Sequence, residues 1–126
     1  MSDVSRKDQG KSGRAGGLLA ITIADAIARA KEEPGWSSGD RFAVSLAKHK
    51  DLTVTVLMLR KGARLKEHTA RGSISLQVMA GAVRFSAAGD QKTLTPGTLC
   101  VLDREIQHSV EALEESTLLL TAALPV

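Results

Sequence analysis

The stretch GARLKEHTARGSISLQVMAGAVRF, Gly62 to Phe85, decides the fold. It opens on a glycine turn, passes a histidine and a second glycine turn, and enters a run in which Ile74, Leu76 and Val78 alternate with Ser75, Gln77 and Met79. Such alternation has the period of two that a pleated strand imposes. Gly81 then breaks the run before a further strand that contains Phe85. A second block, PGTLCVLDREIQHSV from Pro96 to Val110, repeats the plan of glycine turn, apolar strand and histidine. His68 and His108, forty residues apart, are the candidate chemical groups.

Outward from these blocks the chain keeps the same period. Phe42, Val44 and Leu46 alternate with small residues, and Leu52, Val54, Val56 and Met58 alternate with Thr53, Thr55, Leu57 and Leu59. Further strands are expected at about 73–79, 82–86, 91–95, 98–102, 107–113 and 116–123, divided by glycine, proline or paired acids. Short strands so punctuated predict an all-β sandwich or barrel, because a parallel sheet would need helices between its strands. Residues 40–126 are therefore assigned to one barrel.

The N-terminal part differs. Residues 1–17 are polar and basic and cannot bury enough apolar surface to offset ordering entropy, so a loosely attached or disordered arm is expected. Within 18–39, Ile23 and Ile27 with Ala26 and Ala30 predict one short helix over 22–33, with Thr22 as N-cap and Pro34-Gly35 as its stop. Trp36 is expected to anchor that helix on the barrel.

A chain of 126 residues is one domain, large enough for a core without staples. Its net charge of +3 comes largely from the arm, where Arg6, Lys7, Lys11 and Arg14 outnumber Asp3 and Asp8 by two. One tryptophan, two phenylalanines and no tyrosine leave little to stack on bases, so no nucleic-acid partner is expected. No apolar run approaches the roughly 20 residues that span a bilayer, and the chain is read as cytoplasmic with no membrane partner. The lone Cys100 lies in an apolar run and reads as an inert buried thiol. His49, among charges, reads as a solvated turn residue.

The two blocks resemble the paired motifs of the cupins, which are small double-stranded β-helix barrels of jelly-roll type. In the first motif Gly62, His68 and Gly81 stand at the family's spacing, while Ala70 takes the place of a second histidine and Ile74 that of a glutamate. In the second, Gly97 and His108 match, with Asp103, Glu105 and Ala112 in place of proline, glycine and asparagine. The resemblance implies a cupin barrel over roughly residues 40–124. It implies a metal set of three histidines and a glutamate, of which only His68 and His108 remain here.

Ile74 shares a face with Leu76 and Val78, so an aliphatic side chain stands inward where the family has a carboxylate. The expected pocket is thus lined by His68, Ala70, Ile74, Leu76, Phe85 and His108, with a basic rim of Arg64, Lys66 and Arg71. The reading is a barrel that binds a compact, partly apolar, anionic or neutral small molecule, with no cofactor favoured. The alternative is a dioxygenase-like or isomerase-like enzyme in which His68, His108 and Glu105 or Asp103 hold zinc, iron, manganese or nickel. A homodimer is also expected, from the family and from the apolar run Leu118 to Leu124 if that run lies at a sheet edge.

Overall fold

A computed structural model describes residues 6–8 and 17–124. The strands are β1 (Arg6–Asp8), β2 (Arg41–Lys48), β3 (Leu52–Leu59), β4 (Arg64–His68), β5 (Ile74–Ala80), β6 (Val83–Ala87), β7 (Asp90–Leu94), β8 (Leu99–Leu102), β9 (His108–Ala112) and β10 (Ser116–Ala123). They form a six-stranded sheet in the order β1-β2-β3-β10-β5-β8 and a four-stranded sheet in the order β4-β9-β6-β7. Apart from β1, which runs parallel to β2, the pairs are antiparallel. The chain crosses between the sheets as it moves from β3 to β10, which is the winding of a jelly roll. The all-β expectation holds.

Alternation along the strands sorts side chains to two clusters. Leu57 and Leu59 on β3, Leu76 and Val78 on β5, Phe85 on β6, Val110 on β9 and Leu118 on β10 meet between the sheets. Phe42, Val44, Val56 and Met58 point the other way, against Ala26, Ala30 and Trp36. The larger sheet is thus buried on both faces over β2 and β3, which explains why β3 reads as a nearly continuous apolar run.

Helix α1 (Ile23–Ala30) falls within the expected span. Its N-cap Thr22 makes no side-chain capping bond, so docking through Ala26 and Ala30 holds it rather than a cap. A second helix corrects the expectation of one: α2 covers Pro34–Ser38, with Pro34 in its first turn. Proline at that position gives up only an amide hydrogen that has no helical partner, so it starts a helix as readily as it stops one. Trp36 on α2 is buried and is the expected anchor, with the Arg60 guanidinium 3.8 Å above its ring. Arg60 also donates to Trp36 O at 3.1 Å and to Glu115 at 3.0 Å, which joins α2 to the barrel.

Three further differences stand out. Strand β4 was not anticipated, since Leu65 is the one large apolar side chain in RLKEH. Strand β10 lies between β3 and β5 and is not an edge strand. Leu118 is in the barrel cluster, Leu120 packs on it and Leu119 packs on the helix side, so this run is covered within one chain. Of the arm over residues 1–17, Arg6–Asp8 pairs beside β2 and Gly17 is exposed; the rest lies outside the described residues. No described helix is long and apolar enough to cross a membrane.

Glycines fix two close approaches near the barrel ends. Gly81 has φ +88° against Ser116, a conformation that L side chains rarely adopt. A Cβ at Gly72 would overlap the Ala123 carbonyl, where the β4–β5 connection passes the end of β10. Gly72→Ala is expected to destabilise the protein by about 1–3 kcal/mol, the usual range for overpacking, as measured by urea denaturation.

Candidate functional site

The β4–β9 pairing places the two histidines opposite one another. Leu65 pairs with Val110 and His68 with His108, so two residues of β4, Lys66 and Glu67, face one residue of β9, Ser109. This is a β-bulge, and an inserted residue reverses the alternation beyond it. Leu65 is buried between the sheets; without the bulge Glu67 would be the next inward residue. With it, Glu67 is exposed and the half-buried His68 pairs with the fully buried His108.

The rings lie 4.2 Å apart between centroids, tilted by 59°. Phe85 stacks on His108 at 5.7 Å with an interplanar angle of 23°. Each imidazole is tied to the carbonyl two residues before it: His68 Nδ1 to Lys66 O at 2.9 Å, and His108 Nδ1 to Ile106 O at 3.0 Å. Burial pushes the His108 pKa below its ordinary value; the bond to the Ile106 carbonyl opposes the shift and the neighbouring His68 adds to it.

The remaining wall is apolar. Ile74 pairs with Leu102 and Leu76 with Cys100, and Leu76 also pairs with Leu120. Ala87 on β6 pairs with His108. Burial raises the Cys100 thiol pKa, which agrees with an inert cysteine. His49 lies in the β2–β3 turn, where its amide donates to Leu52 O.

Two loops border this end of the barrel. The connection 69–73 and the connection 103–107 are joined by Glu105 N–H donating to Ala70 O at 2.8 Å. Glu105 has φ +62°. It stands where the resembling motif has glycine, and the left-handed backbone that glycine would favour is kept. Ala70 is half-buried in the loop, and Asp103 and Glu105 are exposed.

Among the described residues no three His, Cys, Asp or Glu side chains converge as a metal site. The donor set here is two imidazoles, with an alanine and an isoleucine at the other two positions. Catalytic zinc and iron sites ordinarily use three protein ligands, so these residues do not by themselves fit a resident metal.

The basic side chains do not gather into one rim. Arg64 and Lys66 line an open cleft of about 580 Å³ on the outer face of the four-stranded sheet, with Arg84, Glu67 and Glu111. There Glu111 pairs with Arg84 at 3.0 Å and with Arg64 at 3.4 Å. Arg71 lines a separate cleft of about 550 Å³ with Asp103 and Arg104. Sequence reasoning missed a polar group on the inner face: Ser45 is fully buried and its hydroxyl has no partner among the described residues. The signal was a serine on the inward parity of β2.

No family model and no curated protein matches the chain. Solved structures do. The cupin 2 conserved barrel domain protein from Leptotrichia buccalis is 26% identical over 68% of this chain and 42% of its own, with a TM-score of 0.65. An RmlC-like cupin from Shewanella frigidimarina is 22% identical over 68% of this chain and 77% of its own, with a TM-score of 0.65. Salicylate 1,2-dioxygenase from Pseudaminobacter salicylatoxidans is 20% identical over 66% of this chain and 26% of its own, with a TM-score of 0.62. Structures like this one thus include an enzyme as well as proteins described by their fold. By the winding of its two sheets and by these likenesses, the chain belongs in fold to the cupin superfamily.

Proposed function

We propose that this chain is a binding cupin, which holds a compact, partly apolar molecule in its barrel without a resident metal. The observation that carries the reading is the His68–His108 pair on a wall otherwise formed by Ile74, Leu76, Leu102, Ala87 and Phe85. Two imidazoles supply polar recognition at one place, and the aliphatic wall supplies apolar contact around it. Acid–base catalysis would need a second acid or base aimed at the substrate, and beside the histidines the inner-face residues named above add only the Cys100 thiol and the Ser45 hydroxyl. The likeness to salicylate 1,2-dioxygenase favours the second reading, a metal enzyme that recruits Glu105 or Asp103 from the 103–107 loop.

Metal analysis separates the two. Protein purified without chelator or metal-affinity resin is expected to carry far less than one equivalent of zinc, iron, manganese or nickel. Near-stoichiometric metal that is lost in His68→Ala would overturn the binding reading. The paired substitution Ala70→His with Ile74→Glu is expected to create zinc affinity. It should destabilise the metal-free protein by about 1–3 kcal/mol, through a polar group buried without a partner. Added zinc should then recover the loss by binding the folded state alone.

His108 also gives the stability a pH dependence of known sign. Its folded pKa lies below the ordinary 6.5, so the unfolded chain takes up the proton first. The stability contribution is complete above that ordinary value and falls away as pH drops through it toward the folded pKa, with a slope of up to about 1.4 kcal/mol per pH unit. Urea titrations between pH 8 and pH 5 should show this slope, and His108→Gln should flatten it. An unchanged slope would remove His108 as its source.

A homodimer remains part of the proposal, on a different surface from the one the C-terminal run suggested. Strand β8 is an edge of the six-stranded sheet, and its Leu99 and Val101 are 56% and 71% exposed. A second copy related by a twofold axis would cover both residues and pair the strand edges. Sedimentation at micromolar concentration should give a dimer, and Val101→Lys a monomer with unchanged circular dichroism. A monomeric parent chain would rule this out.

A further inference from the structure

The bonds that hold the histidines also decide what they can recognise. A carbonyl oxygen only accepts, so the contacts to Lys66 O and Ile106 O require hydrogen on both Nδ1 atoms. Each neutral ring then presents Nε2 as a bare lone pair. Among the described residues neither Nε2 has a hydrogen-bond partner. The pair therefore offers two acceptors side by side and no donor. A carboxylate or phosphate would meet lone pairs there, and the burial of His108 opposes the protonation that could reverse this. Arg64 and Arg84 line the cleft on the outer face of the four-stranded sheet, where Glu111 pairs with both.

Ser45 supplies a second polar point. It lies on the same face of β2 as Ala43 of the barrel cluster and pairs with Thr55. Thr55 pairs in turn with Leu120, Leu120 with Leu76 and Leu76 with Cys100. That row lies two residue pairs inward from Ile74 and Leu102, on the same face, and those two adjoin the loops. A hydroxyl buried without a partner is unfavourable until something bonds to it, and nothing among the described residues does.

We propose that the barrel ligand is an uncharged hydroxylic molecule, a compact alcohol or diol on an apolar ring or chain. Its O–H groups donate to His68 Nε2 and His108 Nε2, its carbon body lies against Leu76, Leu102 and Leu120, and Ser45 meets a further oxygen deeper in the barrel. The inference rests on the binding reading above and narrows the ligand class; it excludes the anion that the sequence left open.

Four probes of similar size and shape test it: cis-1,2-cyclohexanediol, cyclohexanol, methoxycyclohexane and cyclohexanecarboxylate. Each is titrated into the 126-residue chain at pH 7.5, with the imidazole nitrogen resonances of His68 and His108 as readout. The two alcohols should shift both Nε2 signals and bind at least tenfold more tightly than the ether or the carboxylate. His68→Phe should abolish the preference for alcohol over ether. Ser45→Ala should leave the fold intact and weaken the diol more than cyclohexanol; equal affinities would remove Ser45 from the contact. Tighter binding of the carboxylate, or equal binding of ether and alcohol, would overturn the hydroxylic class and leave the binding barrel standing. Failure of all four probes to move either resonance would overturn both.

Discussion

The ladder between β3 and β10 joins the two halves of the molecule. It runs from Leu59 opposite Ser116 to Leu52 opposite Ala123, and β5 pairs along the other side of β10. Because successive side chains point to opposite faces, neighbouring residues of this ladder belong to different clusters: Leu118 enters the barrel and Leu119 packs under the helices. The barrel therefore cannot close without the last strand of the chain, and the helices cannot dock on a sheet that lacks it. Strands that meet across more than fifty residues must first meet the entropy of closing that loop, so this ladder is costly to close as well as central.

The two histidines stand on the sheet opposite this joint. Strands β4 and β9 belong to the other sheet, held against the first by Leu65, Val110 and Phe85 in the shared cluster. On that support, one bulge and two carbonyl contacts fix where the imidazoles lie and which nitrogen each exposes. Recognition is thereby set by backbone geometry, and the surrounding aliphatic side chains contribute shape. Removing the carboxylate position and one histidine position from the motif leaves lone pairs without a set of ligands to complete a metal site.

Much of this was legible in the sequence, and the reasons are local. The inward face of Ile74, Leu76 and Val78 follows from strict alternation, and their burial agrees with it. The positive φ of Gly62, Gly81 and Gly97 is what the turn glycines announced. What could not be read was either irregular or distant. The bulge breaks the period of two in a strand with a single large apolar residue, so β4 looked like a loop. Helix α2 is five residues long, too short to show a helical period, and its proline carries the same symbol at a beginning as at an end. The central place of β10 is a matter of sheet order, and no property of Leu118 to Leu124 distinguishes a central strand from an edge. The stacking of Arg60 on Trp36 joins residues that no pattern connects.

The bulge in β4 also says which changes of length this strand absorbs. Substitutions at Lys66 or Glu67 alter the outer surface, because both residues are exposed. Loss of one of these two codons would leave Leu65 and His68 two residues apart, the plain alternation of a strand, and the imidazole would stay opposite His108. The inserted residue is thus spare length on the outer face, and the inner face carries the same two bases with it or without it.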